Sequence, residues 1–117
     1  MRMLIVASML LVALATGAAR AHAFLDHSSP LVGSTVPSAP RQLTMWFSQN
    51  LEPAFSSVQV TGPNGARVDS GKARISANTM RVGLRPSGPG TYHVHWHALS
   101  VDTHTTSGSF SFHVGGS

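Results

Sequence analysis

Residues 91–114, TYHVHWHALSVDTHTTSGSFSFHV, decide how the rest of the chain is read. Successive side chains on a strand point to opposite faces. Tyr92, Val94 and Trp96 therefore share one face, and His93, His95 and His97 share the other. Phe110, Phe112 and Val114 repeat the period of two, with His113 on the opposite side. Between the two runs lies a polar break, with Ser100 before Asp102 and His104 and with Thr105 to Gly108 after them.

The same period recurs upstream. QLTMWFS (42–48) puts Leu43, Met45 and Phe47 on one face with Thr44 and Trp46 on the other. SSVQVTG (56–62) has Val58 and Val60 in phase, and TMRVGLRP (79–86) has Met80, Val82 and Leu84. AFLDHSSP (23–30) reads as a first strand stopped by Pro30, and LVGSTVPSAP (31–40) as a loop broken by Gly33, Pro37 and Pro40. PNG (63–65) and SGPG (87–90) are turn signals, and NLEPAF (50–55) has room for one helical turn at most. Strands with turns every 8–12 residues or so predict a single all-β domain, an antiparallel β-sandwich or small barrel of about seven strands.

The N-terminus reads as a secretory signal, with Arg2 before an apolar run from Leu4 to Ala15. That run falls short of the roughly 20 residues a membrane-spanning helix needs. Two Ala-x-Ala sites overlap in ARAHAF (19–24): a cut after Ala21 leaves His22 first, and a cut after Ala23 removes it. The expected cut follows Ala21, so residues 1–21 are a cleaved signal peptide and 22–117 the exported domain, periplasmic or secreted. Arg2 and Arg20 leave with the signal, and the formal charge falls from +4 to near +2. The remaining basic residues are scattered and form no nucleic-acid stripe. The chain has no cysteine, so neither a disulfide nor a thiolate ligand is available.

Asp102-Thr103-His104 in extended chain turns a carboxylate oxygen and an imidazole nitrogen to one side. Alone the pair is equally a histidine oriented by an aspartate, or a turn capped by it. No G-x-S-x-G elbow or second carboxylate offers hydrolytic chemistry. An N-terminal His22 adds an α-amine and a ring Nδ1, which chelate one ion, and metal displaces the amine proton at modest cost. This N/O set suits tetragonal Cu(II), the strongest binder among divalent ions. His93, His95 and His97 are read as a solvated polar face, with an auxiliary metal or proton-sensitive role as the alternative. His27 and His113 are read as surface residues, and Met45, Met80, Trp46 and Trp96 as packing residues.

At this point the chain resembles the CopC-type periplasmic copper-binding proteins. HAFLDHSSPLVGSTV (22–36), LTMWFSQNLEPAFSSVQV (43–60) and GTYHVHWHALSVDTHTTSGSFSFHV (90–114) carry the resemblance, which spans residues 22–117. It implies a Greek-key β-barrel of cupredoxin-like or immunoglobulin-like kind. It also implies one Cu(II) ion held by the N-terminal His22, Asp102 and His104. Where the family often has an acidic residue near that site, this chain has Gln49. It also lacks a methionine-rich Cu(I) loop. The resemblance suggests a monomeric copper carrier, not an enzyme, that hands its ion to a CopD-like membrane protein, and no fused membrane span is expected after residue 117. Two other readings stand beside it. One is a copper-dependent oxidative enzyme with an N-terminal-histidine site; the other is a metal-free structural β-sandwich.

Overall fold

The computed structural model describes residues 23–85 and 87–115; the expected signal segment and His22 lie outside the described residues. Eight strands follow in order: β1 (Leu25–Ser29), β2 (Thr35–Val36), β3 (Gln42–Phe47), β4 (Ser57–Thr61), β5 (Asp69–Ser76), β6 (Thr79–Leu84), β7 (Gly90–Leu99) and β8 (Thr105–Val114). One 3₁₀ turn, Pro53–Phe55, occupies the place where a single helical turn was expected. Among the described residues no helix is long and apolar enough to cross a membrane.

The strands form two four-stranded sheets, β1-β3-β6-β5 and β2-β8-β7-β4. These are the A-B-E-D and G-F-C sheets of an immunoglobulin-like sandwich, with β2 added in parallel outside β8. Of the two expected forms, the structure is therefore the sandwich. It has one strand more than the seven anticipated. β2 is two residues inside the segment read as a loop, and β5 carries almost no apolar alternation. Only Asp69, Ala73 and Ile75 of β5 are even half-buried. It is an edge strand with a register break between Ser70 and Arg74, and Lys72 and Arg74 give it the charge that discourages further pairing.

The apolar phases of the sequence meet between the sheets. Leu43, Met45 and Phe47 from β3 and Met80, Val82 and Leu84 from β6 face Val58, Val60, Tyr92, Val94, Trp96, Phe112 and Val114. Each such side chain contributes about 1.5–3 kcal/mol on burial. Met45 and Met80 are fully buried cross-strand partners, so both thioethers belong to the core. Phe47 packs edge-on to Trp96 at 5.1 Å, and Tyr92 stacks on Phe112 at 5.1 Å. The Tyr92 hydroxyl donates to the Gly88 carbonyl at 2.7 Å, locking the turn that leads from β6 into β7. That turn needs its glycines, since a Cβ on Gly90 would stand 2.6 Å from Pro63.

Candidate metal centre

β7 and β8 pair over their full length, from Gly90 opposite Val114 to Leu99 opposite Thr105. The five residues between them, Ser100 to His104, close the hairpin at one end of the sandwich. The Ser100 amide donates to the His104 carbonyl at 3.0 Å, and the Thr103 amide to the Ser100 carbonyl at 2.9 Å. Thr103 adopts φ 72°, a left-handed conformation unusual for a β-branched residue. This bend lets Asp102 and His104 project from the same side of so short a loop. The loop is also tied to the segment after β3. Val101 donates to the Asn50 carbonyl at 3.0 Å, Glu52 donates to Leu99 at 2.8 Å, and Leu51 bridges Ser100.

Ser100 holds the carboxylate. It is fully buried, and its hydroxyl donates to Asp102 Oδ1 in a short hydrogen bond. With that proton committed, the oxygen accepts from the His104 amide at 3.3 Å. Asp102 Oδ1 lies 3.4 Å from His104 Nδ1, with side chains 42% and 46% exposed respectively. The Ser100 hydroxyl first, and His104 second, hold the Asp102 carboxyl below its ordinary range despite an opposing contribution from desolvation. Neighbouring donors on one ion stand about 3 Å apart when the bonds are about 2 Å. The two side chains therefore lie near chelating separation, and both are open to solvent.

A third segment ends at the same place. Ala23 is fully buried, and its carbonyl accepts from Thr106 Oγ1 at 2.6 Å, two residues beyond His104. Phe24 and Ser48 exchange two hydrogen bonds of 2.8 Å, Phe24 N to Ser48 Oγ and Ser48 N to Phe24 O. Residues 23–24, 48–52 and 100–106 are thus joined at one end of the sandwich. Gln49 lies in the middle segment, half-buried.

Of the expected ligands, Asp102 and His104 are brought together, while His22 lies outside the described residues. Among the described residues no three His, Cys, Asp or Glu side chains cluster to hold a metal. His93, His95 and His97 face outward on β7, between Thr61, Gln59 and Ser57 on one side and Ser111, Ser109 and Ser107 on the other. His113 also faces outward, on β8. His27 is exposed and stacks on Trp46 at 4.3 Å. Sequence reasoning gave no role to Ser100 or Thr106. Ser100 had one available signal, a serine two residues before the Asp of the D-x-H pair and in phase with the inward residues Tyr92, Val94, Trp96 and Ala98 of β7.

The chain is similar to several known proteins. Residues 25–115 match the CopC domain. Protein YobA of Escherichia coli K12 is 34% identical over 111 residues, 92% of this chain and 90% of that protein. Copper resistance protein C of Xanthomonas campestris pv. juglandis is 35% identical over 115 residues, 91% of this chain and 90% of that one. The crystal structure of PcoC, described as a methionine-rich copper resistance protein from Escherichia coli, superposes with a TM-score of 0.69 at 33% identity, covering 81% of this chain and all of that one. With a domain match across nearly all the described residues and relatives aligned along most of their length, the chain belongs to the CopC family.

Proposed function

We propose that the chain handles copper, in resistance or homeostasis, as an exported carrier of one Cu(II) ion. Signal cleavage after Ala21 leaves His22 first, and its α-amine and Nδ1 chelate the ion. Asp102 and His104 complete the set. The observation that carries this reading is the Asp102–His104 pair, 3.4 Å apart and half-exposed, beside the anchored Ala23 that follows His22. Its N/O donors without sulfur match Cu(II) chemistry. The buried state of Met45 and Met80 leaves neither thioether open to a Cu(I) ion arriving from solvent.

Copper is cargo here, so the residues need only hold and release it. Ser100 fixes Asp102 in its ionised form, and the half-exposed histidine gives an acceptor access to the ion. The acceptor in this reading is a CopD-like membrane protein, and the carrier is a monomer of the periplasm or the extracellular space.

Intact-mass measurement of the exported protein tests the cut, and Cu(II) titration tests the site. A chain beginning at His22 should bind tightly, and one with a single added residue before His22 should lose most of that affinity. Equal binding by the two would remove the amine from the ligand set. His104→Ala should abolish the same tight event.

A further inference from the structure

The outward face of β7 carries a feature that the chain-end site leaves unused. His93, His95 and His97 are exposed at alternate positions of one strand, opposite Ser111, Ser109 and Ser107 on β8 and Thr61, Gln59 and Ser57 on β4. All six flanking positions are neutral hydroxyl or amide residues, and Arg67, bridged to Thr61 beyond β4, is ion-paired to Asp69. The contrast is with the other sheet, where Arg74 and Arg81 face outward as direct cross-strand partners. Between the two outer faces, the one with donor nitrogens and neutral cross-strand neighbours is the one suited to a metal ion.

Geometry favours chelation by neighbours. Side chains two apart on a strand start about 6.6–6.8 Å from each other. Two nitrogens across an ion with bonds of about 2 Å stand up to about 4 Å apart, so each ring needs to lean by little more than 1 Å. His93 is already oriented: its Nδ1 lies 3.1 Å from Ser111 Oγ, which leaves Nε2 for a ligand. His93 and His97 are four residues apart, about 13 Å along the strand, and cannot share an ion. Among the three β7 histidines every chelating pair therefore contains His95; His113 on β8, opposite Thr91, lies diagonal to His93. With no cluster of three donor side chains among the described residues, the protein supplies two ligands and water the rest.

We propose that this face binds a second Cu(II) ion through the imidazoles of His95 and one strand neighbour, His93 by preference. Imidazole suits several divalent metals, and Cu(II) is the tightest of them. The site is weaker than the chain-end site, since it has two protein donors and no carboxylate. It gives the carrier a capacity of two ions per chain.

Titration of the exported protein with Cu(II) alone, followed calorimetrically, tests this. The parent should show a tight event and a weaker one, together two equivalents. His95→Gln should lose the weaker event and keep the tight one. His93→Gln should weaken it by more than His97→Gln does. These side chains are exposed, so far-UV circular dichroism should show all three variants folded. Retention of both events by His95→Gln would overturn the proposal, as would loss of both together. The chain-end reading fails separately, through a His104→Ala variant that keeps the tight event.

Discussion

Replacing Ser100 by alanine asks whether one buried hydroxyl, and not the hairpin backbone, sets the Asp102 carboxylate proposed to bind copper. The backbone bonds that shape the loop survive the change: Ser100 to His104 at 3.0 Å, Thr103 to Ser100 at 2.9 Å and Val101 to Asn50 at 3.0 Å. What disappears is the bond to Asp102 and the acceptor for the His104 amide at 3.3 Å. Losing a long, neutral hydrogen bond at a buried position costs about 1 kcal/mol, so the urea midpoint should move only slightly. Asp102 is 42% exposed, and water takes over part of its hydrogen bonding. Its orientation is not recovered. Groups that position metal ligands are typically worth about 10–100-fold in affinity, and Cu(II) binding against a competing chelator should weaken by that factor. The hydroxyl is also the largest cause of the lowered Asp102 pKa, so the carboxyl should return toward its ordinary range. Protons then compete from a higher pH, and the acid limit of Cu(II) binding shifts upward. A folded Ser100→Ala protein with affinity within about twofold of the parent would contradict the 10–100-fold expectation and refute the argument.

Two further outcomes follow from packing and charge. A Cβ on Gly108 would stand 2.6 Å from Trp96 Cζ2 and 2.8 Å from Cε2, so Gly108→Ala should cost about 1–3 kcal/mol in urea unfolding, and less in a Trp96→Phe background. An equal cost in both backgrounds would detach the effect from the indole. Asp69, whose side chain is 7% exposed, accepts from Arg67 at 2.6 and 2.7 Å and from the Val60 amide at 2.9 Å. Arg67 chiefly lowers its pKa below the ordinary 3.8. The unfolded chain therefore takes up the proton first, and the stability is present above 3.8 and lost as pH falls through the lower folded value. Asp69→Asn should remove about 2 kcal/mol at pH 7 and flatten that acid dependence, read from urea midpoints between about pH 2 and 7.

Most of the sandwich was legible because its inner strands obey one rule. In β3, β6, β7 and β8 the residues of one phase are apolar and those of the other polar, and burial follows that phase. β5 escaped because an edge strand with a break at Ser70–Arg74 buries little, and pairing with β6 needs only backbone. β2 escaped because two residues have no period; Gly33 and Ser34, not an apolar pattern, tie that segment to β8 through hydrogen bonds to Ser111 and His113. The tyrosine bond to Gly88 belongs to the same class, since Tyr92 reads from sequence as one more inward residue.

The candidate centre was legible as a pair, Asp102 and His104, but not as a place. What makes it a place is the meeting of three segments far apart in the chain, and the bonds that join them run through backbone atoms and small hydroxyls. The cleavage site shows the gap most clearly. In ARAHAF the two Ala-x-Ala motifs are equivalent as patterns, and preference for the first rested on the ligand it creates. Burial adds an independent reason. Ala23 is 0% exposed, and its carbonyl takes the Thr106 hydroxyl at 2.6 Å. A cut after Ala23 would empty that position and leave a half-buried hydroxyl without its acceptor. A cut after Ala21 keeps both and leaves His22 ahead of an anchored residue. Ala23 thus serves the fold by closing one end of the sandwich through its contact with Thr106, and under the proposed cut after Ala21 the chain would begin one residue before that anchored position.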